Sequence, residues 1–330
     1  MTNEVQSAPV VTKETKNKIR VEFERTSLKE RLKAKFLSTY FLKNVVWYVF
    51  RLALLIGIAF VVIQPFITMI IQSLKAPVDY RDSTVVNVPR NFFFGIYKAI
   101  FVDGAYIASF FKTLALSLGM ALLQMTSCCL VGYGLAKFKF RGNKIVFFCV
   151  ILTLVIPHGT LQTAIYYYFS ELSLLNTFVP LALLSATALA FKNGLYIFLL
   201  RQFFRGVPDE LEESAYLDGA NTLRTFVQVI LPISIPMLIT VFLFSFCWQW
   251  TDDFYVPLFY LKVPRPDFMV FLTDKMPFAS LTADSASLGA SFTTAMTYGC
   301  GLMACIPLII LFLFCQKYLV QGIERSGIVG

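Results

Sequence analysis

Apolar runs of about 20 residues recur along this sequence, and no other feature restricts its fold so tightly. A run of that length crosses a bilayer as an α-helix, because a helix satisfies its backbone N–H and C=O groups within its own segment. The runs fall near 45–74, 111–136, 144–169, 177–200, 236–255 and 290–318. They predict an all-α polytopic membrane protein with six transmembrane helices. Of the 330 residues 57% are hydrophobic and only 15% charged, whereas a soluble domain carries about 25% charge. The third run is broken at Pro157, His158 and Gly159, and the fourth is interrupted by Lys192, Asn193 and Gly194. The segment from 75 to 110, with its prolines and aspartates, is too polar to span. Phe92, Phe93 and Phe94 within it predict an interfacial helix over about 92–101.

Basic residues set the orientation. With the N-terminus inside, nineteen Lys and Arg lie in the cytoplasmic pieces and eight in the outer ones, as the positive-inside rule requires. Both termini are then cytoplasmic in a multi-pass protein of the cytoplasmic membrane. Three parts follow: a tail over 1–44, a transmembrane domain over 45–318 and a cytoplasmic end over 319–330. In the tail, Leu28, Leu32, Phe36 and Tyr40 recur every four residues among Lys29, Arg31, Lys33 and Lys35. That pattern predicts a basic amphipathic helix over 18–44 lying on membrane lipid. A nucleic-acid arm is the competing reading. The net charge of +9 does not favour it, because the basic residues cluster beside the spans.

One polar stretch stands between the fourth and fifth runs. Asp209, Glu210, Glu212 and Glu213 follow Pro208, which suits the first position of a helix. Gly219 is a natural stop, since glycine takes the left-handed conformation that ends helices. A second short helix restarts near Thr222, carries Phe226, Ile230 and Leu231 on one side, and ends at Pro232. Two helices this short are not stable alone in water, so the unit must dock on something. A solvated acidic loop is the alternative.

Glu213, Ser214 and Ala215, then Asp218, Gly219 and Ala220, with Phe226, Ile230, Leu231, Pro232 and Pro236, resemble the EAA loop of ABC-importer permeases, here over 205–236. Ser214 stands where that family usually has alanine. The stretches 132–142, 198–204 and 318–330 resemble the smaller permease of carbohydrate-uptake importers of the maltose and multiple-sugar type. So does the segment from Trp248 to Tyr255, with Thr251 in place of a common asparagine. The resemblance implies a type I importer architecture whose cytoplasmic coupling helix plugs into an ATPase. It also implies the partners: a second, homologous permease, two ATP-binding cassette subunits and an extracytoplasmic sugar-binding protein.

Nothing in the chain has the pattern of catalysis. No GxxxxGK[ST] motif occurs, so ATP and its Mg²⁺ would bind the partner ATPase and this chain needs no cofactor. The seven cysteines lie in apolar runs and include no CxxC pair, which reads as small buried hydrophobes. His158 reads first as a hydrogen-bonded helix-break residue. Polar groups inside spans carry more information. A lysine near mid-span costs roughly 2.5–3.5 kcal/mol, so Lys192 should face a cavity or a partner. Lys192 and Asn193 are the first pathway candidates, with Trp250 and Asp252 beside them. Gln124, Gln162, Trp248 and Gln249 are further inward-facing possibilities. Interhelical hydrogen bonding is the alternative for each. A permease for another solute, such as glycerol phosphate or a peptide, keeps the same machinery. An ion-coupled secondary transporter would need no ATPase-docking loop.

Overall fold

The computed structural model describes residues 39–327 apart from 77, 81, 87, 103–104, 263–264 and 273–288. The expected amphipathic helix of the tail lies outside these residues, except for its end. The chain divides into two units after Ile67. The first consists of most of α1 (Thr39–Leu74). At 36 residues α1 is about 54 Å long, longer than the roughly 30 Å of bilayer hydrocarbon.

Among its described residues the regular elements of the second unit are all helices, with one isolated bridge between Lys75 and Phe92. A short α2 (Gly95–Val102) starts three residues later and ends one residue later than the expected interfacial helix, and is followed by α3 (Tyr106–Lys137). The third run is α4 (Asn143–Val155) and α5 (His158–Glu171), which meet at 103° across Ile156 and Pro157. The fourth is α6 (Val179–Ala186) and α7 (Asn193–Arg205). Between them Ala188 and Lys192 both hold positive φ, at 58° and 68°, a conformation that non-glycine residues seldom keep without support.

Next come α8 (Glu210–Leu217), α9 (Thr222–Thr225), a π-turn over Phe226–Ile230, α10 (Leu231–Ile233) and α11 (Ile235–Trp250). The last two are α12 (Tyr255–Phe259) and α13 (Gly289–Gly327). Among the described residues three helices, within α1, α3 and α13, are long and apolar enough to cross a membrane, or up to five spans if each bent pair counts as one.

The segment expected to end at Pro232 ends one residue later, at Ile233. The chain widens into the π-turn, where Leu231 N–H reaches back to the Phe226 carbonyl, and continues through Ile233. It then bends 77° into α11. Pro232 lies at the start of α10 and Pro236 at the start of α11, where a missing N–H costs little.

The core is built around α3. Its buried face carries Ser109, Thr113, Ser117, Ala121, Cys128 and Gly132, small groups at nearly four-residue spacing. Small faces let helices approach where lipid offers no hydrophobic drive between them. A Cβ added at Gly132 would stand 2.9 Å from Leu200 Cβ and 3.3 Å from the Arg201 backbone nitrogen. Gly132→Val therefore forces α3 and α7 apart, and overpacking of this kind costs about 1–3 kcal/mol. A lower unfolding temperature in detergent for Gly132→Val, with a smaller drop for Gly132→Ala, is the expected result.

The segment joining α1 to α2 is held by two buried charges. Lys75 Nζ donates to the carbonyls of Val85 (3.0 Å) and Val86 (2.8 Å). The Asp79 carboxylate accepts the backbone N–H groups of Arg90 and Asn91, both at 2.8 Å. The Asn91 hydrogen bonds, foremost, hold the Asp79 carboxyl below its usual range.

Candidate functional site

The polar stretch forms a short helix docked on the end of α3. Asp209 is the cap of α8, and Pro208 lies just before it rather than at the first helical position. Lys137, 6% exposed, closes the joint: its Nζ donates to the Val207 carbonyl at 2.7 Å and to Asp209 Oδ1 at 2.6 Å. Glu212, the one buried residue of α8, lies 3.9 Å from the same ammonium and accepts the Tyr133 hydroxyl at 3.3 Å. Tyr133 packs against Phe138, Phe204 and Phe226. The hydrogen bond and charge of Lys137 hold the Asp209 carboxyl below its usual range.

At its other end α8 stops in a Schellman turn. Gly219 has φ +82°. Its N–H donates to the Tyr216 carbonyl and the Ala220 N–H to that of Ala215, both at 3.0 Å, which satisfies the last free carbonyls. Asn221 caps α9 by accepting the Arg224 N–H at 2.8 Å. Glu213, Ser214, Asp218 and Gly219 are exposed, and Ala215 and Ala220 half-buried. The Ser214 hydroxyl donates to the Glu210 carbonyl at 2.7 Å, so this departure from alanine is satisfied within the helix. Leu217 (89% exposed) and Leu223 (71%) flank the turn as bare apolar side chains. The sequence reading passed over both, although an apolar residue on each side of an acidic turn was a visible signal.

The pathway candidates separate. Trp250 is 2% exposed, donates its indole N–H to the Ala304 carbonyl at 3.0 Å and packs on Phe110 and Phe246. It holds α11 to α13 and does not line the larger cavities. Asn193 is 1% exposed, and neither polar atom of its side chain has a partner. Gln162 is exposed on α5.

Asp252 lines a cavity of about 150 Å³ together with Gln124, Ser185, Ser245, Trp248 and Gln249. Its carboxylate also has structural work: Oδ1 accepts the N–H groups of Phe254 and Tyr255 at the start of α12, and Oδ2 accepts Gln249 Nε2. Gln124 links α3 to α6 and α11 by donating to Ser185 Oγ (3.3 Å) and accepting from Ser245 Oγ (2.8 Å).

Lys192 lines a second cavity, of about 320 Å³, which shares Leu184, Ala190 and Tyr255 with the first. Its ammonium lies 4.5 Å from the Phe191 ring centroid and 4.7 Å from that of Trp248. Phe191 also meets His158, Phe254 and Tyr255. Sequence reasoning placed Lys192 and missed Phe191, whose signal was only its position beside a mid-span lysine.

The sequence family described as "Binding-protein-dependent transport system inner membrane component" matches residues 129–325. The chain belongs to this family. The match runs from the middle of α3 to the end of α13 and so includes the whole docked loop. Among curated proteins, the arabinooligosaccharides transport system permease protein AraQ of Halalkalibacterium halodurans is 25% identical, over 83% of this chain and 93% of its own. The melibiose/raffinose/stachyose import permease protein MelC of Bacillus subtilis is 26% identical, over 81% and 91%. A chain from a bacterial ABC transporter involved in the import of the acidic polysaccharide alginate superposes with a TM-score of 0.67. That superposition covers 84% of this permease and 97% of the other chain at 21% identity, so it bears on the fold. The chain is thus an ABC importer permease in fold and a transport component rather than an enzyme.

Proposed function

We propose that this permease carries a sugar or oligosaccharide across the cytoplasmic membrane, driven by ATP hydrolysis on partner subunits. The observation that carries the proposal is α8 with its turn: an acidic helix fixed at one end by Lys137 and bared at the other through Gly219, Leu217 and Leu223. Such an element is anchored to the transmembrane core yet leaves an apolar tip for another protein. Closing of two ATPases around bound ATP would push α8 as a rigid body, and α3, which it grips, would carry that motion into the spans. Six spans, with both termini and α8 inside, meet the basic-residue asymmetry. The printed substrates of AraQ and MelC support a saccharide cargo. A second permease would complete the path, and an external binding protein would deliver the sugar.

Sidedness tests the arrangement directly. In a cysteine-free background, a membrane-impermeant thiol reagent added to intact cells should label Val88→Cys and not Glu210→Cys. Val88 is 74% exposed, whereas the nearby Asp79 is buried and unsuited to a probe. The ATPase should co-purify with the unlabelled permease. Labelling at Glu210 from outside overturns the orientation and the coupling role together, and uptake without any ATPase favours an ion-coupled carrier.

A further inference from the structure

We infer that the cavity at the break between α6 and α7 binds a carboxylate of the transported solute through Lys192, so that the cargo is an acidic saccharide. The inference rests on the sugar-import reading above and adds the charge of the sugar. Lys192 sits where the fourth run breaks, with its backbone held at φ 68° as the cap of α7. Its ammonium faces two aromatic rings, Phe191 and Trp248. Ring faces attract a cation but offer weak acceptors at best to its three N–H donors. Among the described residues Lys192 has no ion pair and no hydrogen-bonded oxygen on its side chain. The second basic group on this cavity is His158, and no Asp or Glu lines it. The carboxylates of the adjoining cavity are Asp252, already engaged by Gln249, Phe254 and Tyr255, and Asp253.

A half-buried ammonium with free donors and no counter-charge gains most from an anion, because the medium around it has a lower dielectric than water. The rings of the adjoining cavity, with which this one shares Leu184, Ala190 and Tyr255, fix the rest of the ligand class. There Trp248, Phe191 and Phe254 present apolar faces of the kind that stack on the C–H surface of a pyranose. A uronic acid joins such a surface to one carboxylate. A neutral sugar would use the rings and leave the charge unmatched, and a cationic solute would be repelled.

The test is equilibrium binding of two trisaccharides to the complete purified transporter in lipid nanodiscs without ATP. Trigalacturonate supplies carboxylates, and maltotriose has similar size and no charge. Trigalacturonate should bind at least about tenfold more tightly than maltotriose, the scale of one hydrogen bond to a charged group. Lys192→Gln should abolish that preference while leaving maltotriose binding nearly unchanged, and Lys192→Arg should retain most of it. Equal binding of the two sugars, or a preference that survives Lys192→Gln, overturns the inference. Binding of maltotriose alone does so too while leaving the sugar-import reading intact. If neither trisaccharide binds, the inference and that reading fall together.

Discussion

A Gly219→Val permease is expected to reach the membrane at normal abundance and to have lost ATP-driven uptake. Gly219 holds φ +82° to turn the chain from α8 into α9. A β-branched residue in that conformation is strained by about 1–2 kcal/mol or more. The strain is conformational, because a Cβ built at Gly219 meets no atom of this chain within 4 Å. Relief of the strain unwinds the Schellman turn, freeing the Ala215 and Tyr216 carbonyls and displacing Leu217 relative to Leu223. The spans do not depend on this turn, so insertion is retained. Asparagine tolerates left-handed backbone better than other non-glycine residues, so Gly219→Asn should recover a large part of the uptake. Membrane abundance, ATPase co-purification and sugar uptake in the same cells make the comparison. Full uptake by a normally inserted Gly219→Val protein would remove this turn from the coupling machinery.

Lys137→Met should be equally damaging from the other end of α8. The methionine keeps the length of the side chain and removes the ammonium that holds Val207, Asp209 and Glu212 together. A hydrogen bond to a charged group contributes about 1.5–3 kcal/mol. Its loss also leaves Glu212 buried with Tyr133 alone as a donor partner. The helix would then stay folded but loosely joined to α3, so motion imposed on α8 would no longer reach the spans. Expected are faster proteolysis between Arg205 and Asn221, retained insertion, and uptake reduced by about tenfold or more. Lys137→Arg should keep much of the uptake, since a guanidinium can reach the same acceptors. Because Asp209 is held below its usual carboxylate range by this lysine, its part of the clamp is present at neutral pH. That part is lost only as pH falls through the lowered value in the acid range. Wild-type loop protection should therefore stay constant between pH 6 and pH 8, and a loss within that window would assign the joint to other groups.

The loop was the most legible part of the chain. Proline, four acids and a glycine define a helix, its dipole and its stop through local rules, so α8, the Gly219 turn and the restart at α9 could be read in order. The membrane helices were legible for a different reason: hydrocarbon demands long apolar helices whatever their packing. Pro157 marked the break between α4 and α5, and Lys192 the break before α7, because each conflicts with a continuous apolar helix. Pro232 marked the end before α11 to within one residue, whereas the π-turn that precedes it had no local signal.

The sequence by itself determined the helical membrane class and the helix–turn–helix of the polar loop, since each follows from near-neighbour chemistry or from the solvent. The tertiary structure decided which polar and aromatic groups meet. Trp248 and Trp250 are two residues apart, yet one lies over Lys192 and the other is locked against Ala304. Lys137 finds Asp209 and Glu212 more than seventy positions away. Within a span any polar side chain can be satisfied by several neighbours, and only the crossing positions of α3, α6, α7 and α11 select among them. Those crossings depend on long-range contact between small faces, such as Gly132 against Leu200, which no local periodicity encodes.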